Sequence, residues 1–247
     1  MINFSAVRPN TALGRIVRYP FRILPRDFTV PILQGPLRGK RWIVGSHLHG
    51  CWLGSYELEM QKQVANQVKR GDVFYDVGAN VGFYSILAAS LTDPGMVHAF
   101  EPLVTNLAYL RKHLELNRVH NVKVFEMAIS DEVGTAFLEV EKTRAMGRLR
   151  KSGSVRVRTS TLDALLSEGE VAPPDCIKMD IEGAELHALL GAKECFAQYR
   201  PKLFLATHGR DVHDECCRLL QSWQYEFQCT SRHSEAELFA FPRPGQT

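Results

Sequence analysis

Residues 76–82 read Asp-Val-Gly-Ala-Asn-Val-Gly and join a short apolar run, Asp72–Asp76, to a helical stretch over Val81–Leu91. A glycine-rich turn between a strand and a helix lets the backbone approach a ligand without Cβ interference, so this segment restricts both the fold and its ligand. The dinucleotide fingerprint needs glycines at its first, third and sixth positions; counted from Gly78, those last two are Asn80 and Phe83, and the fingerprint fails. A phosphate-cradling loop needs Gly-Lys-Ser/Thr, which is absent here. What remains is a strand-end acid followed by a lysine-free glycine turn, a poor neighbour for phosphate and a good one for a cationic or amino-bearing ligand.

The alternation continues. Met96–Phe100, Asn121–Met127, Cys176–Asp180 and Lys202–Thr207 read as strands. Val104–Asn117, Ala184–Leu190 and Val212–Trp223 read as helices between them, and two late strands fall near Tyr225–Cys229 and Glu237–Phe241. Short apolar strands alternating with helices predict a doubly wound, mostly parallel α/β sheet covered on both faces, with its ligand beyond the carboxyl ends of the strands. Glu101 closes the second strand 25 residues after Asp76, where a carboxylate reaches both hydroxyls of a ribose. Strand-end Asp76, the glycine turn and Glu101 together describe a site for S-adenosylmethionine.

Several segments carry a family resemblance: Asp76–Gly82; Phe100-Glu101-Pro102 with Asn106; Ala128-Ile129-Ser130-Asp131; Thr161-Leu162-Asp163; and Lys178-Met179-Asp180-Ile181-Glu182-Gly183-Ala184-Glu185. They resemble the FkbM-type S-adenosylmethionine-dependent methyltransferases, and Trp52-Leu53-Gly54-Ser55-Tyr56-Glu57 extends the likeness to residues 52–229. The resemblance implies a class I methyltransferase (Rossmann-like) sheet of seven strands. It implies O-methylation of a hydroxyl on a sugar, glycan or natural-product acceptor. The cofactor residues it implies are Asp76, Gly78, Asn80, Gly82, Ser85, Glu101, Pro102, Asn106, Ala128 and Asp180. Tyr56 and Glu57 are expected on the acceptor side.

Methyl transfer from a sulfonium is an in-line displacement that needs a held acceptor and a route for its proton. Asp180, Glu182, His208 and Lys178 are the candidate catalytic residues. Lys178 and Asp180, spaced by two, face the same side and are expected to pair. Asp180, Glu182 or His208 is the expected base, His208 because a free imidazole titrates near ~6.5. The site is read as metal-free; Asp180 and Glu182 holding Mg²⁺ is the alternative. Neither His47/His49/Cys51 nor His208/Asp211/His213 has zinc spacing. Glu185, in a helix's first turn, reads as structural.

The domain organisation expected is a basic extension, residues 1–55, and a methyltransferase domain, residues 56–247, interrupted by a hairpin insertion at 134–159 with a mobile basic tip. Charge supports that division. Residues 1–41 carry +7 and the remainder −4, inside a total of +3. Residues 142–158 hold seven bases and no acid, which leaves the rest of the body at −11. Arg148 and Arg150 are therefore candidate contacts for an anionic acceptor.

A nucleic-acid-modifying methyltransferase and a non-catalytic S-adenosylmethionine-binding module are the competing classes. Against the first, no aromatics interleave the basic run and Asp180-Ile181-Glu182-Gly183 stands where base N-methylating enzymes carry Asn/Asp-Pro-Pro-aromatic. The partner expected is a small-molecule or glycan acceptor, with no nucleic acid and no transmembrane segment; a homo-oligomer is left open. The Leu13–Leu24 stretch, arginines among apolar residues, is a membrane-surface candidate that Pro20 interrupts. The lack of a signal-like apolar stretch leads to a cytoplasmic expectation, with all six cysteines reduced.

Overall fold

The computed structural model describes residues 24–140, 147–150, 155–231 and 234–243. Strands β1 (Thr29–Pro31) and β2 (Arg41–Ile43) pair antiparallel and lead through a 3-10 turn into helices α1 (His49–Leu53) and α2 (Leu58–Gln67). The central alternation follows as β3 (Phe74–Val77), α3 (Phe83–Thr92), β4 (Val97–Phe100), α4 (Val104–Leu116) and β5 (Val122–Phe125). A smaller unit comprises β6 (Ala128–Ile129), β7 (Gly134–Val140), β8 (Gly147–Arg150) and β9 (Val155–Ser160). The chain then forms α5 (Leu162–Ser167), β10 (Cys176–Met179), α6 (Glu185–Leu190), α7 (Lys193–Tyr199), β11 (Lys202–Ala206), α8 (Arg210–Ser222), β12 (Tyr225–Ser231) and β13 (Ser234–Pro242).

The main sheet has seven strands in the order β12-β13-β11-β10-β3-β4-β5, parallel from β11 to β5 and antiparallel at β13 and β12. β3, β4 and β10 are buried at every residue, as strands covered on both faces must be. Their side chains alternate between two cores. Phe74 stacks toward Phe204 on one face, and Phe204 on Phe239. Tyr75 meets Phe100 on the other, and Phe100 stacks on Phe125. The chain winds outward from β3 through β4 to β5, then returns to place β10 on the other side of β3. That reversal is the switch point at which open α/β sheets bind ligands, and it puts Lys178 opposite Asp76 in the register.

The first helix after the glycine turn starts at Phe83, two residues later than periodicity predicts, because Gly78, Asn80 and Gly82 all hold positive φ. Helices α1, α2, α5 and α7 stand where the sequence pattern predicts none; α1, α5 and α7 have only five to seven residues, but α2 has ten. Thr161 caps α5 by accepting from Ala164 N–H at 2.9 Å, and the Asp163 carboxylate accepts from Glu194 and Cys195 N–H at the start of α7. The Thr161-Leu162-Asp163 segment is thus a pair of caps.

The predicted hairpin insertion is larger than two strands. β8 pairs with β7 inside the stretch read as its tip, and a four-stranded sheet forms in the order β6-β9-β7-β8. Lys142, Arg144 and Lys151, with the mobility expected of the tip, lie outside the described residues, as do residues 1–23 with most of Leu13–Leu24.

The described part of the N-terminal segment shares the main core. Ile32, Leu37, Trp42, Cys51 and Trp52 are buried in one cluster with Phe74, Ile86 and Phe204. All six cysteines are free, and among the described residues no helix is long and apolar enough to cross a membrane. Trp42→Ala should cost about 3–5 kcal/mol, as large-to-small core changes do, within a single unfolding transition. Denaturant titration checks this; an unchanged midpoint for the body would mean that residues 24–55 are a separate appendage.

Candidate active site

The glycine turn is held from three sides. A Cβ on Gly78 would sit 2.1 Å from the Asp180 carbonyl oxygen, so only glycine lets the turn lie against the end of β10. Gly78 and Ala79 N–H groups both donate to the Phe100 carbonyl, and Asn80 N–H donates to Glu101 Oε2 at 2.8 Å. The other oxygen of Glu101 accepts from Leu103 N–H and the Asn106 amide. Burial dominates this carboxyl: despite those three donors its pKa is pushed up to about 7. Asp76 is 1% exposed. Its Oδ2 accepts from the Ser85 hydroxyl at 2.6 Å, its Oδ1 has no partner, and burial raises its pKa against the pull of Lys178.

Beside it lies a cluster of opposite charges. The Lys178 ammonium, 3% exposed, sits 3.3 Å from Asp180 Oδ2 and 4.5 Å from the centre of the Tyr84 ring. Burial works against that ammonium, but Asp180, Glu57 and Asp76 outweigh it and hold its pKa above the ordinary value. The Tyr84 hydroxyl donates to Glu57 Oε2 at 2.8 Å, and burial raises Glu57 against the opposing pull of Lys178. His208 Nδ1 lies 2.9 Å from Glu185 Oε1, while its Nε2 lies 3.7 Å from Asp180 Oδ1 and 3.5 Å from Glu182 Oε2. The hydrogen bond to Glu185 is the largest cause of an imidazole pKa pushed up to about 8.

One cavity gathers Asp76, Gly78, Asn80, Glu101, Pro102, Asn106, Ala128, Lys178, Asp180, Glu182 and Tyr56 from the predicted set. Gly82, Ser85, Glu57 and His208 stand behind its walls. Gly82 precedes α3 and packs on Leu110, and Ser85 and Glu57 act through Asp76 and Tyr84. Arg148 and Arg150 are described only as backbone of β8, whose partner β7 sends Leu138 into the cavity wall. The predicted pairing of Lys178 with Asp180 is present.

Glu185 does more than its sequence position suggests. It is fully buried, and its Oε1 accepts from Ile181 and Gly183 N–H besides meeting His208. No sequence pattern marks His47, Cys51, Phe83 or Tyr84 as site residues, yet all four line the cavity. His47 and Cys51 stood out in the sequence only as a loose metal cluster; here Nδ1 of His47 is 3.6 Å from Cys51 Sγ, and its ring meets Tyr56 edge-on at 5.7 Å. The second such cluster also resolves into hydrogen bonds, with His213 between Thr207 and Cys217. Asp180, Glu182 and His208 each bring a ligand atom within 4.8 Å of the others, close enough to hold a cation.

A parallel sheet with its switch point at β3, a glycine turn and acids ending β3 and β4 define the class I methyltransferase fold. A family model described as the methyltransferase FkbM domain matches residues 76–227, and the chain belongs to that family. Hexuronic acid methyltransferase AglP of Haloferax volcanii is 27% identical over 137 residues, covering 55% of this chain and 56% of that protein. The 31-O-demethyl-FK506 methyltransferase FkbM of Streptomyces tacrolimicus is 45% identical over 69 residues, covering 28% of this chain and 26% of that protein. The chain therefore spans about half or less of the length of these two relatives. 2-O-methyltransferase NoeI of Sinorhizobium fredii is 25% identical over 175 residues, covering 62% of this chain and 70% of that protein. Among solved structures, methyltransferase FkbM of Methylobacillus flagellatus overlays with a TM-score of 0.50 at 18% identity, over 93% of this chain and 60% of that one. A SAM-dependent O-methyltransferase of Thermotoga maritima gives 0.50 at 12% identity, over 78% and 67%.

The cavity fits S-adenosylmethionine, the cofactor of this family. The unpartnered Asp76 Oδ1 is a buried acceptor suited to an amino group, Glu101 Oε2 keeps a lone pair for a ribose hydroxyl, and the Gly78 cradle admits no side chain. Without cofactor, Glu101 has a cost. Its carboxyl rises from 4.5 to about 7 on folding, so its stabilising contribution is full below pH 4.5 and is lost as pH climbs through 7, about 3 kcal/mol in all. Asp76 slopes the same way. Urea midpoints of the cofactor-free protein should fall between about pH 5 and 8, and Glu101→Gln should flatten that fall while weakening cofactor binding. A steeper fall in the variant would contradict the assignment.

Proposed function

We propose that the chain is an S-adenosylmethionine-dependent O-methyltransferase acting on a hydroxyl of a sugar, glycan or natural-product acceptor. The observation that carries the reading is one cavity joining the Asp76–Glu101 cofactor side to a second wall made by His47, Tyr56, Tyr84 and Leu138. When bound, the cofactor supplies an electrophilic methyl group. Asp76, Glu101 and Asn106 hold it, and Lys178 offsets the repulsion between Asp180 and the buried Asp76. Tyr56, Phe83 and Tyr84 form an edge-to-face aromatic group, a surface suited to the apolar face of a ring. The names of the relatives support a hydroxyl acceptor: hexuronic acid for one, a 2-O position for another. The basic run around Arg148 and Arg150 favours an acceptor bearing a carboxylate or phosphate.

The proton of the acceptor hydroxyl goes to His47 in this reading. His208 is raised by its carboxylate neighbours and holds its proton at neutral pH, so it serves as a cation that spans Asp180 and Glu182. Burial lowers the pKa of His47, with Asp180 pulling weakly the other way, which leaves a neutral imidazole on the cavity wall. Asp180 and Glu182 orient the site without a metal.

Isotope-labelled cofactor incubated with paired neutral and acidic sugars and glycans should place a methyl group on an acceptor oxygen, with preference for the acidic member. Asp180→Asn should lower the rate by about a hundredfold or more. Chelator should leave turnover unchanged; loss rescued by Mg²⁺ would overturn the metal-free arrangement. Stoichiometric cofactor binding without turnover on any acceptor would favour a binding module.

The acid limb of kcat/KM should lie below pH ~6.5. His47→Gln should lower kcat by roughly 10²–10⁴-fold with cofactor affinity retained. A limb near pH 8 that disappears in His208→Gln would return the base to His208.

A further inference from the structure

Strand β2 pairs with β1 on one side, and side chains of α4 satisfy its other backbone edge. Asn117 accepts from Arg41 N–H at 2.7 Å and donates to the Arg41 carbonyl at 2.9 Å. One turn earlier, His113 Nε2 accepts from Ile43 N–H at 3.1 Å. The other ring nitrogen, Nδ1, lies 2.8 Å from the Val81 carbonyl and must carry the proton to donate there. A neutral ring with hydrogen on Nδ1 makes both bonds at once. Burial keeps it neutral, with its pKa lowered to about 4. The ring is fully buried and stacks on Trp42 at 3.9 Å and 17°.

The two ends of this link lie on different parts of the site. Val81 stands between Asn80, whose N–H donates to Glu101, and Gly82, which precedes α3. Ile43 lies a few residues ahead of His47, Cys51 and Tyr56, which line the acceptor side of the same cavity. A single imidazole therefore joins the glycine turn to the segment that forms the opposite wall.

We propose that His113 is a positioning residue that couples cofactor binding at the glycine turn to the ordering of residues 41–56, so that a held cofactor completes the acceptor wall. The proposal rests on the methyltransferase reading for its ligand. Coupling of this kind is reciprocal, so loosening residues 41–56 must weaken the cofactor, with typical factors of ~5–150.

The test uses the full chain with S-adenosylhomocysteine as probe, read by calorimetry and by amide hydrogen exchange. In the wild type, the probe should slow exchange across residues 41–56, Ile43 N–H included. His113→Phe keeps a ring against Trp42 but removes both hydrogen bonds. It should weaken probe affinity by about tenfold and abolish that protection. Phe196→Leu, in the core on the other face of the sheet, controls for lost stability and should change neither. If His113→Phe fails to fold, Asn117→Ala frees the Arg41 backbone without touching the turn and should weaken the probe several-fold. The proposal is overturned if the wild type binds the probe with no protection at 41–56, or if affinity and protection survive in the variants. A folded wild type that does not bind the probe at all would sink the methyltransferase reading itself, a result distinguishable from the other two.

Discussion

The site is organised by burying one ammonium among carboxylates. Asp76 is the penultimate residue of β3, Asp180 follows β10, and Glu57 precedes α2, all three close enough to Lys178 to raise its pKa. Left unpaired, the buried Lys178 ammonium or a charged Asp76 would cost several kcal/mol. The register that sets Lys178 opposite Asp76 is therefore as much an electrostatic requirement as a packing one. Tyr84 seals the arrangement, its ring under the ammonium and its hydroxyl on Glu57. Asp76 retains one unsatisfied oxygen and Glu101 a carboxyl near neutrality, so the unliganded site is destabilised where the cofactor binds. Function at such a point runs against stability, and a ligand that donates hydrogen bonds relieves both groups.

Legibility in the sequence follows the range of the interaction. The strands of the parallel sheet were readable because burial on both faces leaves near-continuous apolar runs, and Gly78 was readable because only glycine fits against the Asp180 carbonyl. The Lys178–Asp180 pair was readable because the two lie two residues apart. The His208–Glu185 bond spans 23 residues and the His113–Val81 bond 32. Neither leaves a local pattern, and Glu185 looked like an ordinary first-turn acid. His47 was visible as a residue but not as a wall, since only the packing of residues 24–55 on α3 and α4 brings it to the cavity. β8 was hidden because Gly-Arg-Leu-Arg has one apolar residue and its pairing depends on β7 across the turn.

Charge separates along the same lines. The acids gather at the strand ends around Lys178, and Arg148, Arg150, Arg156 and Arg158 lie on β8 and β9, in the sheet whose strand β7 sends Leu138 into the cavity wall. A cationic cofactor suits the first set, and the second is the ground on which an anionic acceptor is proposed. The near-neutral total is a cancellation between basic segments and an acidic remainder.

The family match begins at residue 76, and His47, Cys51 and Tyr56 reach the cavity from ahead of it to face Phe83, Tyr84 and Leu138 inside it. The wall opposite the cofactor side is thus shared between the matched segment and the residues before it. Such sharing is workable only if the two parts stay in register. The Gly78, Ala79 and Asn80 N–H groups of the turn are committed to Phe100 and Glu101, and Gly82 N–H to the Ala79 carbonyl. The carbonyl of Val81 is its outward-facing contact through His113, and the imidazole fits because one neutral ring can accept on one side and donate on the other. A lysine or an arginine there could only donate, and Ile43 N–H would be left buried without an acceptor.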